Sequence, residues 1–234
     1  MVAQIMLFTL LSLPQTRDSA PAPAADNFTA DPTWKSLGTN LWFDPKGRRL
    51  IVRARVVLRE GPLEHLLCLK GTKEHEAILA TTAAPQKIHA GLLLTGAETG
   101  HPVRFLPQFE PPTGSKISIE LEWLQDGKAR RADAREWVFD ETKKVPLAVD
   151  WVFAGSELVK DPVTKKPYYL ADDGDLITVA NFGSAILDLP FASTANDADR
   201  GFVARTDQIP PLGTFVTMIF KPRLTDPPKP PAKP

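Results

Sequence analysis

Residues 61–101 hold all four histidines of the chain and its only cysteine. Within this stretch His75 and Glu76 are adjacent, and His89 follows on the far side of a Pro-containing turn. Imidazole and carboxylate groups bind zinc or a similar divalent ion, and they also serve as acid and base. The pattern is not HExxH, which places two histidines on one helix face, because Leu79 occupies the second position. A metal or acid–base site therefore requires a turn that brings His75, Glu76 and His89 together. The alternative is that the two histidines are neutral imidazoles that form hydrogen bonds near the helix.

Cys68 is the second candidate for chemistry. A thiolate is a nucleophile, and His75 or His89 would act as its base while Lys70 and Lys73 lower the pKa of the thiol. However, Cys68 stands in an apolar run with leucine on both sides. A buried cysteine in such a strand usually behaves as a small apolar residue. The pattern favours the buried form over the nucleophile.

The elements that must position these residues begin with a helix. Pro85 suits the first helical position, Ile88 and Leu92 form an apolar stripe, and Gly96 suits the end. Before it, residues 74–79 suggest a shorter helix. Together they predict one helical unit over about residues 72–97.

The remainder predicts strands and turns. Residues 41–44 and 48–58 flank the turn Asp44-Pro-Lys-Gly47, and the Asp126-Gly127 pair is typical of a tight hairpin. Residues 168–180 predict another hairpin around residues 172–175. Because strands and helices do not alternate, a parallel doubly wound sheet is disfavoured. We predict an α+β fold: a single β-rich, mostly antiparallel domain with the helical unit packed on its sheet.

The two ends of the chain predict non-domain segments. Residues 5–13 form an apolar run that is too short for a bilayer and suits a signal peptide, although no Lys or Arg precedes it. The alternative is a disordered or packed N-terminal segment. We predict a signal-like segment and Pro/Ala linker over residues 1–37, a β-rich domain over 38–222, and a disordered Pro/Lys tail over 223–234.

Composition limits the classes of partner. Lys and Arg total 28, as do Asp and Glu, so the formal net charge is zero. Nucleic-acid binding needs a basic excess, so we expect no nucleic acid as partner, and we expect no transmembrane helix. A single cysteine excludes an intrachain disulfide and any cysteine-based metal cage.

Several segments resemble the YdjY-like domain of bacterial envelope proteins. They are residues 68–79 (CLKGTKEHEAIL), 88–97 (IHAGLLLTGA), 151–156 (WVFAGS), 169–173 and Asn181. The resemblance covers most of residues 38–222 and implies a bacterial envelope location, periplasmic or secreted. It implies no activity, because such domains have no assigned function. Some relatives carry a cysteine-rich ferredoxin-like segment, for which this chain lacks the cysteines.

These observations support two hypotheses from different classes. The first is an exported, non-enzymatic module that binds an envelope protein or a small-molecule ligand and has no cofactor, with Lys73, His75, Glu76 and His89 as candidate ligand-binding residues. The second is a metal- or thiol-dependent enzyme, with zinc or a similar divalent ion as cofactor. Its candidate catalytic residues are His75, Glu76 and Cys68, and its candidate metal ligands are His75, His89 and Glu76.

Overall fold

The computed structural model describes residues 28–193 and 201–223, and these contain sixteen strands, one α-helix and two short 3-10 helices. The helix α1 covers Pro85–Leu94, and the 3-10 helices cover Ala134–Trp137 and Leu170–Asp173. The strands are β1 (Lys35–Gly38), β2 (Leu41–Asp44), β3 (Arg49–Val56), β4 (His65–Leu69), β5 (Ala77–Thr81), β6 (Lys116–Gln125), β7 (Lys128–Asp133), β8 (Val138–Asp140), β9 (Val145–Pro146), β10 (Trp151–Phe153), β11 (Leu158–Lys160), β12 (Pro167–Tyr169), β13 (Asp175–Thr178), β14 (Leu187–Asp188), β15 (Phe202–Ala204) and β16 (Phe215–Pro222).

Eight of these strands close into a barrel. Their order is β3, β16, β6, β10, β14, β13, β4 and β5, and β5 pairs back with β3. The β13–β14 and β4–β5 pairs are parallel, and the other neighbours are antiparallel. The prediction of a β-rich domain with one helix is confirmed, but the sequence indicated neither closure nor the two parallel pairs.

The barrel interior is apolar. Along β3, Leu50, Val52, Ala54 and Val56 belong to the main buried cluster, and Val52 pairs with Met218 of β16. The residues of β3 that alternate with these point away from the cluster, and Arg53 and Arg55 are among them. The alternation follows from the two-residue period of a strand.

Helix α1 packs against β2 and β3 through its glycine. A Cβ atom placed on Gly91 would lie 2.3 Å from Cδ1 of Leu50, so only glycine allows this approach. Pro85 stands at the first turn of the helix, as predicted, and Gly96 follows its end with a φ of 87°. No helix within residues 28–193 and 201–223 has the length and apolar character needed to cross a bilayer.

The predicted helical unit over residues 72–97 is wrong in its first part. Ala77–Thr81 is the strand β5, which pairs with both β3 and β4. All five of its residues are buried, with Leu79 in the main cluster and Ala77 beside Cys68 in a small second one. A strand that is apolar on both faces lacks the polar alternation that would distinguish it from a helix.

Two of the three predicted hairpins are present. Strands β2 and β3 pair around the turn at Asp44, and β6 pairs with β7 around Asp126 and Gly127, which both have positive φ. The hairpin predicted over residues 168–180 is wrong, because β12 pairs with β11 while β13 pairs with β4 and β14.

The predicted signal segment, most of the linker and almost all of the predicted tail fall on residues 1–27 and 224–234, which lie outside the described residues. Strand β1 overlaps the end of the stretch that the sequence assigns to the linker, because its residues 35–37 precede the predicted start of the domain at 38.

Candidate functional site

Three segments that sequence analysis singled out meet at one end of the barrel: the loop between β4 and β5, the 3-10 helix after β12, and α1. The amide of Leu69 donates to the carbonyl of Gly174 (3.2 Å), and a Cβ on Gly174 would lie 2.2 Å from Oγ1 of Thr72. The side-chain amide of Gln86 in α1 donates from Nε2 to Oδ2 of Asp172 (3.1 Å). These contacts join the β4–β5 loop and α1 to the same 3-10 helix.

Around the carboxylate of Glu76, the structure brings together three of the candidates. Nε2 of His75 lies 3.6 Å from Oε2 of Glu76, and Nζ of Lys73 lies 3.8 Å from Oε1. Glu76 is buried, whereas the side chain of His75 is 75% exposed. His75 thus stands at the solvent side of this group.

His89 has other neighbours. Its Nδ1 lies 2.9 Å from both the carbonyl oxygen of Gly155 and the hydroxyl of Tyr169, and its ring contacts Phe153 edge-on at 5.0 Å. Burial lowers the pKa of His89, although the hydrogen bond to Gly155 acts in the opposite direction. In the part of the chain that the structure describes, the contacts of His89 do not include His75 or Glu76, so the ring serves to dock α1.

Cys68 lies in β4 and is fully buried. Its strand neighbours are Ala80 of β5 and Asp175 of β13. Burial raises the pKa of the thiol to about 12. The thiol is therefore protonated at neutral pH, and this environment does not support a nucleophile.

A buried polar chain runs through His65, which the sequence analysis did not select. Its Nε2 lies 2.8 Å from Oδ1 of Asp175, the hydroxyl of Ser184 donates to the other oxygen, and the ring of Phe182 stacks on the imidazole at 5.3 Å. Burial alone would raise the pKa of Asp175, but the hydrogen bonds from His65 and Ser184 outweigh it and hold that pKa below its usual value.

Two carboxylates stand beside this histidine. Glu64, His65 and Glu76 are all buried, and each places one ligand atom within 4.8 Å of the other two. The backbone fixes the group, because the amides of Glu64 and His65 both donate to the carbonyl of Glu76 at 3.1 Å. The imidazole-and-carboxylate chemistry that the sequence predicted around His75 is therefore present around His65, the other Glu–His neighbour pair of the stretch.

Asp188 of β14 forms a second buried polar group. Its Oδ1 accepts hydrogen bonds from Oγ1 of Thr178 (2.9 Å), Nδ2 of Asn181 (3.1 Å) and the amide of Leu189 (2.7 Å). Its Oδ2 is buried without a hydrogen bond in the described structure. Burial raises the pKa of Asp188 to about 7 despite these donors.

A cleft of about 270 Å³ opens on the outer side of β3, β5 and β16. We call it the basic cleft, because three cations and one carboxylate line it. Its lining residues are Asn40, Arg53, Ala54, Arg55, Val57, Lys70, Glu74, Ala80, Thr81, Thr82 and Phe215.

The cations of the basic cleft are held in different ways. Arg53 is buried, and its guanidinium donates to Oγ1 of Thr217 (2.7 Å). The guanidinium carbon of Arg55 lies 4.2 Å from the ring centroid of Phe215, a cation–π contact. Among the described residues, neither Arg55 nor Lys70 has a carboxylate within ion-pair distance. Arg55 and Lys70 therefore give the cleft positive charge with which no described carboxylate pairs.

In comparison with known proteins, the family model of the YdjY domain matches residues 41–221. Neither the curated proteins nor the solved structures contain a significant match to the chain.

Proposed function

The chain belongs to the YdjY domain family, whose model spans residues 41–221, and we propose that it is an exported binding module of the bacterial envelope that takes a small organic anion in the basic cleft. The observation that carries the proposal is the uncompensated positive charge of Arg55 and Lys70 beside the buried Arg53.

Charge and shape define the class of ligand. Arg55 and Lys70 face a single carboxylate of the lining, Glu74, so these described side chains give the wall a net positive charge. Guanidinium groups bind carboxylates and phosphates through paired, charge-assisted hydrogen bonds. The volume of about 270 Å³ lies at the small end of the range for ligand sites. A small molecule with one or more carboxylate groups fits these features.

The basic cleft also has groups for the uncharged part of such a ligand. Val57, Ala80 and Phe215 supply apolar contact, while Asn40 and Thr82 supply polar groups. The amide of Asn40 donates to the hydroxyl of Thr82 (2.8 Å), which fixes both side chains. A carbon skeleton with hydroxyl substituents therefore suits the site.

The strands pre-organise the cleft. Arg55 pairs directly with Ala80 of β5 and with Phe215 of β16, so it lies where the barrel closes. Side chains on regular strands hold their positions better than side chains on loops, which lowers the entropic cost of binding.

The envelope location rests on the N-terminal sequence. The apolar run over residues 5–13 has the length of a signal-peptide core, and a Pro/Ala-rich segment follows it. The zero formal net charge disfavours nucleic acid as a competing partner. The protonated state of Cys68 disfavours the thiol-dependent enzyme.

Binding is tested by calorimetric titration of the purified chain with citrate, with glycerol as the uncharged probe. We expect citrate to bind, salt to weaken it, and Arg55→Gln or Lys70→Gln to lower its affinity about tenfold or more, because each removes a charge-assisted hydrogen bond. Lys128→Gln, on the exposed end of β7, is the matched control and should leave affinity unchanged.

Secretion is tested separately by expressing the full chain in bacteria and fractionating the cells. Recovery in the periplasm or the medium is expected, and retention in the cytoplasm contradicts export.

The binding test has its own contradicting outcome. If di- and tricarboxylates fail to bind the wild type, or bind equally to Arg55→Gln, the basic cleft is not the ligand site.

A further inference from the structure

The geometry points to a divalent metal site formed by Glu64, His65 and Glu76: we propose that these residues bind one transition-metal ion of the Zn²⁺ type. The site is separate from the basic cleft, none of whose lining residues belongs to it. It uses Glu76 from the sequence-predicted set, but with His65 in place of His75 and His89.

The donor set suits such an ion. One imidazole and two carboxylates are ligands of Zn²⁺ and of similar borderline ions, whereas Ca²⁺ and Mg²⁺ prefer oxygen alone. Three protein ligands leave a further coordination position for water or for another donor.

The state of the imidazole gives independent support. Nε2 of His65 is held by Asp175 at 2.8 Å, so the ring nitrogen left for a ligand bond is Nδ1. His65 is completely buried, yet its Nδ1 has no hydrogen-bond partner within the described structure. A buried polar atom without a partner costs free energy, and a bound metal ion would remove that cost.

Asp175 supplies the support that metal-binding histidines usually have. In such sites the second ring nitrogen donates to a carboxylate, which fixes the tautomer and the orientation of the ring. Here Asp175 accepts from His65, and Ser184 donates to the other oxygen of Asp175. The stacked ring of Phe182 restricts the imidazole further.

Charge favours a cation at the same point. Glu64 and Glu76 are 6% and 8% exposed, so two carboxyl groups stand beside the imidazole in a buried place. Lys73 and His75 lie 3.8 and 3.6 Å from the oxygens of Glu76, at distances that leave this carboxylate without a direct hydrogen bond from either. The side chain of Glu76 is 11% exposed, so an ion reaches the site along it.

The distances allow closure around an ion. In a tetrahedral site with bonds of about 2.1 Å, neighbouring ligand atoms are roughly 3.4 Å apart. One ligand atom of each of the three residues already lies within 4.8 Å of the other two, so small side-chain rotations would complete the contraction. The strands β4 and β5 carry His65 and the residue after Glu76 as a parallel pair, so the backbone need not move.

The test is the metal content and the Zn²⁺ affinity of the full chain, purified without chelator and without a histidine tag. We expect about one Zn²⁺ per chain and loss of tight binding in Glu76→Gln, which keeps the size of the side chain. Asp175→Asn, at a positioning residue, should weaken binding by about 10- to 100-fold, because it alters the support of the ring.

Glu74→Gln and His75→Ala are the controls, since both residues lie on the same loop outside the three-residue cluster, and both variants should bind Zn²⁺ as the wild type does. Circular dichroism of each variant separates lost binding from lost folding. The proposal is overturned if the folded wild type binds no Zn²⁺, if Glu76→Gln binds it unchanged, or if His75→Ala alone abolishes binding. Citrate binding by the Arg55 and Lys70 variants is a separate measurement. The metal site and the basic cleft are therefore tested independently, and failure of one does not decide the other.

Discussion

His65 of β4 and Asp175 of the neighbouring strand β13 are both buried, and their side chains meet with Nε2 and Oδ1 2.8 Å apart. The two residues are 110 positions apart in the chain, so the barrel is what brings them together. The contact therefore forms only when β4 and β13 pair, and it holds His65, the one buried histidine on the described barrel strands.

The His65–Asp175 contact predicts sensitivity to acid. The pKa of Asp175 lies below its ordinary value of 3.8 in the folded protein. Its contribution to stability is thus present above the unfolded pKa and is lost as pH falls through the folded pKa. We expect Asp175→Asn to be less stable than the wild type at neutral pH and to lose less stability on acidification. Urea unfolding at several pH values measures both effects, and parallel curves for the two proteins would contradict the prediction.

Asp188 predicts the opposite dependence on pH. Burial raises its pKa to about 7, whereas the unfolded value is near 3.8. The folded state therefore holds an extra proton between these values, and stability falls as pH rises through this window. Because each pH unit of difference is about 1.4 kcal/mol, this carboxyl alone costs up to roughly 4 kcal/mol above pH 7.

We expect Asp188→Asn to remove most of this dependence, so that the variant gains stability relative to the wild type between pH 5 and pH 8, on the order of a few kcal/mol. Chemical denaturation at the two pH values is the measurement. If the variant and the wild type differ in unfolding free energy by the same amount at pH 5 and at pH 8, then Asp188 is ionised in the folded protein at both pH values.

Cys68 should resist thiol reagents in the native protein. It is fully buried and burial raises its pKa to about 12, so both access and thiolate formation are suppressed. We expect slow reaction with a disulfide reagent such as DTNB under native conditions and complete, rapid reaction in guanidinium chloride. Rapid labelling of the folded chain would instead indicate that β4 opens locally.

Gly91→Ala should destabilise the protein, although alanine normally favours a helix. The added Cβ would lie 2.3 Å from Cδ1 of Leu50, so α1 has to shift away from β3. We expect a loss of about 1–3 kcal/mol in unfolding free energy, the range typical of overpacking. Leu94→Ala, at a helix position that is 53% exposed, is the control and should change stability little. A more stable Gly91→Ala would mean that helix propensity outweighs the contact.

The sequence predicted those elements that carry a local pattern of turn residues or of alternating polar and apolar residues. The hairpin at Asp126 and Gly127 was predictable because the turn residues have positive φ and the strands alternate. Strand β5 was mistaken for helix because it is apolar on both faces. Barrel closure through Arg55 and Ala80 was not predictable, since no local pattern records which distant strands pair.

The candidate sites show the same limit. Glu76 was identified from its neighbour His75, and it is part of the buried group. His65 was not selected, because it looks like an isolated polar residue until Asp175 of β13 is placed beside it. Arg53 and Arg55 follow the alternation of an ordinary half-exposed strand, and only their position beside Phe215 and Lys70 reveals a cleft.

The position of β16 decides when the barrel can form during synthesis. This strand, Phe215–Pro222, lies between β3 and β6 and pairs with both, yet it is made after every other strand described. An emerging chain therefore has the edges of β3 and β6 unsatisfied until residues near 222 are available. Such long-range closure folds slowly and exposes unpaired strands in the meantime. In the exported protein proposed above, this late closure would leave the chain competent for threading through a secretion channel until its last strand arrives.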